Sequence, residues 1–239
     1  MAHEYTFLGL LSLESGSWAD WFSGTMSALA VITALAAYPI ANRQQRKAQR
    51  QRDREIARAV GWKLLRVLNS TGDISRHLNT SLAKREPTFP AGLKFPLVRP
   101  LGIPDRHPQE LNQTETDFLL KAQAPDLLAE IDMSMGRYAS IVFGMKEYKA
   151  RHEALFELMP RPVSSDGATF THKLTPEESE RVRPYAQMLE ALLEGMIAMT
   201  EENMAKTHAA LVQYERDMAR FFGKSPLGFK IDQEAAALG

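Results

Sequence analysis

The stretch from Trp18 to Ala41, WADWFSGTMSALAVITALAAYPIA, constrains this chain more than any other. Asp20 is its one charge, and none follows from Trp21 to Asn42. An α-helix of that length rises about 36 Å, enough to cross a hydrocarbon core of roughly 30 Å. Its polar positions are small hydroxyls, which can bond back to helix carbonyls one turn earlier and so cost little in lipid. The competing reading is a helix buried in a soluble core, which the modest apolarity (many Ala, Thr, Ser) and Pro39 would suit. A core helix of this length normally keeps a polar face, and this one has none.

The run exits into RQQRKAQRQRDR, with six basic residues and one acidic. Met1 to Ser17 contains neither Lys nor Arg, so the basic region that precedes the apolar run of a cleavable signal is missing. Positive charge after the span predicts an outward amino terminus, with the rest of the chain in the cytoplasm beneath the inner membrane. Trp18 and Trp21 at one end and Tyr38 at the other are candidate interface aromatics. Arg43, Arg46, Lys47 and Arg50 are the candidates for fixing topology and meeting anionic lipid. In sequence these charges read as spread around a helix, with Gln and Ala between them. No aromatic interleaves before Trp62, which disfavours the stacking used by single-strand nucleic-acid binders.

Six domain segments are expected: a leader over 1–17, the span over 18–41, a basic stalk running into an amphipathic helix over 42–86, a Pro-rich loop over 87–113, a helical bundle over 114–223 and a tail over 224–239. The leader's FLGLLSL is too short to cross a bilayer and reads as interfacial or disordered. Within the span, Ser23 and Ser27, Gly24 and Ala28, and Ala30 and Ala34 are small residues four apart, a spacing that permits close helix self-association. In the stalk, Ile56, Val60, Leu64, Val67, Leu68, Ile74, Leu78 and Leu82 form one stripe, with Gly72 and Asp73 as a point of interruption. Glu86 to Pro108 holds six prolines and two glycines, an irregular connection.

Thr114 is placed to cap a short helix running to about Gln123, and Pro125 to open a long one ending near Met159. The long helix carries Leu128, Ile131, Met135, Tyr138, Val142, Met145, Phe156 and Met159 in steps of three and four, a seam interrupted by Lys149 and His152. Thr175-Pro176-Glu177-Glu178 is a capping box with proline at the first helical position. The helix it starts reads Val182, Leu189, Leu193, Met196, Met204, Leu211, Tyr214, Met218 and Phe221, with Pro184 expected to kink it or split off its first turns and a stop at Gly223. Asn203 reads as a polar core position. No strand pattern is evident.

Signatures of chemistry are absent from the sequence: no Gly-rich phosphate loop, no HExxH and no GxSxG. No histidine has Glu three residues before it, the spacing of a four-helix carboxylate metal site. With no cysteine, disulfides and thiolate metal sites are excluded. Lys plus Arg equals Asp plus Glu, 29 each, so net charge names no partner.

The opening Trp18-Ala19-Asp20-Trp21-Phe22-Ser23-Gly24, the Ala-rich helix and the Arg/Gln exit resemble small uncharacterised bacterial and phage-borne single-span membrane proteins. The likeness covers about the first 55 residues. It implies one span and transfers no site residue.

The expectation is an all-α chain, one amino-terminal transmembrane helix followed by a cytoplasmic helical bundle or coiled-coil-like hairpin of long helices. The expected role is that of a non-enzymatic interaction or scaffold protein without cofactor or metal. Its partners would be the bilayer, a second copy through the span or seams, or another protein. The alternative is a soluble helical protein that binds nucleic acid through its Arg-rich segment, with the apolar run in its core.

Overall fold

The structure, a computed structural model, describes residues 5–7, 11–13, 17–84, 93–102, 110–160, 164–165, 170–171 and 173–227, with side chains omitted for 5–20 and 164–171. Helix dominates. Four α-helices are present among these residues: α1 (Ser17–Ala83), α2 (Gln113–Lys121), α3 (Pro125–Leu158) and α4 (Pro176–Phe222). The chain divides into two compact units, Met1–Asp53 and Arg54–Gly239, and α1 contributes to both.

In the first unit, the segment read as an interfacial or disordered leader contains a short antiparallel pairing. Tyr5–Phe7 (β1) runs against Leu11–Leu13 (β2), with Tyr5 opposite Leu13. Three-residue strands are too short for a periodic pattern to register. A second brief pairing, Ser164–Ser165 (β3) with Phe170–Thr171 (β4), lies in the α3–α4 connection.

In the second unit three helix segments meet along heptad seams. On α1 a buried stripe runs through Ala57, Val60, Leu64, Val67, Thr71, Ile74 and Leu78, in strict alternation of three and four, with Gly61 buried beside it. On α3 the alternation runs through Leu127, Ile131, Ser134, Tyr138, Ile141, Met145 and Tyr148, and on α4 through Leu189, Leu193, Met196, Thr200, Asn203, Thr207, Ala210 and Tyr214. Such steps keep one stripe facing a partner helix turn after turn.

Tyr214 donates its hydroxyl to the Ala57 carbonyl and Asn203 reaches Thr71, so α4 runs antiparallel to α1. Arg137 faces Glu202, and Gly144 abuts Met196, so α4 is antiparallel to α3 as well. Segments α1 and α3 are therefore parallel, and the chain must return between them. That return is the Pro-rich connection. Phe95 and Val98 are buried, the Tyr148 hydroxyl is shared between their carbonyls at 2.9 and 2.8 Å, and the His77 ring nitrogen Nε2 lies 2.9 Å from the Arg99 carbonyl. Glu190 accepts from the backbone N–H groups of Lys94 and Phe95, at 2.8–3.0 Å, so main-chain donors are satisfied at the start of a single 3-10 turn, Phe95–Leu97.

The short helix α2 is capped by Asn112, not by Thr114 as the sequence suggested. Asn112 and Glu115 form a reciprocal capping box. Glu115 also pairs with Lys63 at 2.7 Å, both side chains largely buried, tying α2 to α1. Pro125 opens α3, Thr175 caps α4, and Gly223 ends α4 in the left-handed conformation (φ 78°), as read from the sequence. Pro184 lies within one uninterrupted α4, and α1 passes Gly72 and Asp73 without a break.

Candidate functional site

Among the described residues, the apolar part of α1 is the longest run of exposed hydrophobic side chains. Trp21, Phe22, Met26, Leu29, Val31, Ile32, Leu35, Tyr38 and Ile40 are 49–71 % exposed. Leu29, Val31 and Ile32 project in different directions around the helix, so the exposure is not confined to one face. In water, leaving these side chains uncovered would forgo on the order of 10 kcal/mol of burial, comparable to the whole stability of a small domain.

The two threonine hydroxyls in this segment bond back to the helix backbone. Thr33 donates to the carbonyls of Leu29 and Ala30 at 2.8 and 2.9 Å, and Thr25 to that of Phe22 at 2.9 Å. Both threonine hydrogens are thus satisfied by the helix itself, which lowers their cost in lipid. The helix is long and apolar enough to cross a membrane by length and composition. Of the three candidate interface aromatics, Trp21 and Tyr38 are exposed and near opposite ends of the apolar run. Trp18 is in the helix, but its side chain lies outside the described residues.

Beyond Ala41 the helix continues without interruption through Arg43, Arg46, Lys47 and Arg50, all exposed. The sequence suggested charges distributed around the axis. In the helix, at about 100° per residue, these four fall within an arc of roughly 100°. Gln44, Gln45, Ala48, Gln49 and Gln51 cover most of the remaining circumference, with Arg52 as the one cation on the far side. The signal was present in the spacing i, i+3, i+4, i+7, which is the same rule that defines an apolar stripe.

The rest of the chain offers little chemistry. Among the described residues no group of three His, Asp or Glu side chains converges in a form that could hold a metal ion. His152 packs between the rings of Tyr148 and Phe156, with centroids 5.8 and 4.8 Å away, and burial holds its pKa below the ordinary histidine range despite Glu153 beside it. Glu178 is held below the usual carboxylate range by its hydrogen bonds from Thr175, a capping interaction. Both shifts follow from packing and capping.

Comparison with known protein families, with curated proteins and with solved structures finds no match to this chain.

Proposed function

We propose that this chain is a membrane-anchored, non-enzymatic helical scaffold, held at the inner face of the cytoplasmic membrane by α1. One observation carries the reading. A long helical segment with exposed apolar side chains on more than one face flows, without leaving helical conformation, into a cationic segment. Lipid is the solvent in which such a segment costs nothing, and cations on the exit side orient it with the bundle inside. Trp18, Trp21 and Tyr38 sit at headgroup level in this reading, and Arg43, Arg46, Lys47 and Arg50 meet anionic lipid. Each gains about 1 kcal/mol there.

The seam residues of the bundle are buried against one another within the chain. What remains for a partner is its surface. A second copy joined through Ser23, Gly24, Ser27 and Ala28 is compatible with this role.

The test is partition. The full chain expressed in bacterial cells should stay with membranes through alkaline carbonate and high salt, and leave them only in detergent. Recovery in the carbonate supernatant would overturn the proposal, and specific retention of that soluble protein on nucleic acid would replace it with the second reading.

A further inference from the structure

Topology needs only a number of positive charges near the end of a span; it places no demand on where around the helix they point. The placement of Arg43, Arg46, Lys47 and Arg50 on one side, with uncharged Gln and Ala over most of the other, is therefore more than orientation requires. Residues three and four apart on a helix are lateral neighbours about 5–6 Å apart at Cβ, so these four side chains form one contiguous patch. Arginine forks bind phosphate oxygens in pairs, and lysine adds a point charge beside them.

The depth of the patch fits the same ligand. Measured along the axis from Ala41, Arg43 is about 3 Å away, Arg46 and Lys47 about 8–9 Å, and Arg50 about 14 Å. The headgroup layer is roughly 5–7 Å thick on each side of the hydrocarbon, and long basic side chains reach back toward it. Arg43, Arg46 and Lys47 are within direct reach, and Arg50 lies within about one Debye length of the surface. Position next to an apolar helix favours lipid phosphate over an acidic protein or a nucleic acid.

Building on the membrane-anchored reading, we propose that Arg43, Arg46, Lys47 and Arg50 form a one-sided binding face for anionic phospholipid headgroups, gathering these lipids against one side of the helix.

The experiment uses the full chain reconstituted in bilayer nanodiscs of phosphatidylcholine containing a minor fraction of photoactivatable phosphatidylglycerol. The expected result is several-fold enrichment of the anionic lipid, with crosslinks on 43, 46, 47 and 50 rather than on 45, 48, 49 and 52. A charge-scattered variant, Arg43→Gln, Arg50→Gln, Gln45→Arg and Ala48→Arg, keeps the basic count and the topology but should lose most of the enrichment. Inorganic phosphate should not compete.

Equal enrichment in the scattered variant would overturn the proposal, since charge number alone would then suffice. So would crosslinks distributed evenly around the helix, displacement by inorganic phosphate, or tighter binding to an acidic peptide or RNA than to the anionic bilayer. Failure of the chain to enter bilayers at all would instead overturn the membrane-anchored reading, a separate and recognisable result.

Discussion

The Asn203 side-chain amide donates to the Thr71 hydroxyl across 3.1 Å, within the buried seam between α4 and α1. Around this bond Thr207 donates to the Asn203 carbonyl oxygen at 3.3 Å, while Thr71 and Thr200 return their own protons to the carbonyls of Val67 and Met196. All four residues are at most 1 % exposed. A slip of one heptad in α4 would move Asn203 against leucine or valine and strand its amide, so the bond favours a single register.

Asn203→Ala should therefore destabilise the second unit by roughly 1–3 kcal/mol, and the cycle with Thr71→Val should show a coupling of about 0.5–3 kcal/mol. Urea unfolding of the four proteins measures both. Strict additivity would mean that the bond is not felt.

Lys63 and Glu115 make a different kind of pair. They are 2.7 Å apart with side chains 16 and 5 % exposed, and Lys63 also donates to the Glu110 carbonyl at 3.0 Å. Removing one member leaves a buried charge alone, which costs more than the pair contributes. Lys63→Met should destabilise by about 3 kcal/mol, and adding Glu115→Gln should recover a large part of that loss. Thermal unfolding of the single and double variants separates the two effects.

Gly61 is required by close approach. A Cβ there would clash with Leu227 Cδ2 and sit 3.1 Å from Tyr214 Cε1. Leu227 is buried on this spot, in a turn held by Arg58 donating to the Pro226 carbonyl at 3.0 Å. Gly61→Ala should expel the turn, exposing the amides of Lys224, Ser225 and Leu227 to hydrogen exchange and costing about 1–2 kcal/mol. Combining it with Leu227→Ala should restore most of that stability, because the clash then has no partner.

The tyrosines predict an alkaline limit. Burial raises the pKa values of both Tyr148 and Tyr214 above the ordinary value of 10.0, with Glu190 and Glu115 respectively adding to the rise. The unfolded chain then loses these protons first. Their contribution is complete below about pH 10 and shrinks as pH climbs toward the folded values. The melting temperature should fall steeply above pH 10, and the Tyr148→Phe/Tyr214→Phe double variant should show a shallower fall over the same range.

Sequence spoke clearly where one residue type does one job. Pro125, the Thr175 capping box and Gly223 each announced a helix end through a backbone property that no tertiary contact alters. It spoke less clearly along the seams. Ala57, Thr71, Ser134, Thr200 and Thr207 are buried stripe positions that carry little or no apolar signal, so the α1 stripe was read through Ile56, Leu68 and Leu82, which are only partly buried. The α3 seam was read as broken at Lys149 because Tyr148 and Leu155, not their neighbours, carry it. Gly72 and Asp73 suggested a break, but burial of Thr71 and Ile74 on either side outweighs a helix penalty of about 1 kcal/mol. For the candidate site, the apolar run and its cations were plain. Their angular arrangement was legible only once the segment was known to be a single helix.

Protease protection of a carboxy-terminal tag in right-side-out and inverted membrane vesicles tests the central claim most directly. The account predicts a tag shielded in right-side-out vesicles, digested in inverted ones, and carried in both by the membrane fraction. Digestion in right-side-out vesicles would contradict the orientation, and a tag that leaves with the soluble fraction would contradict the anchor itself.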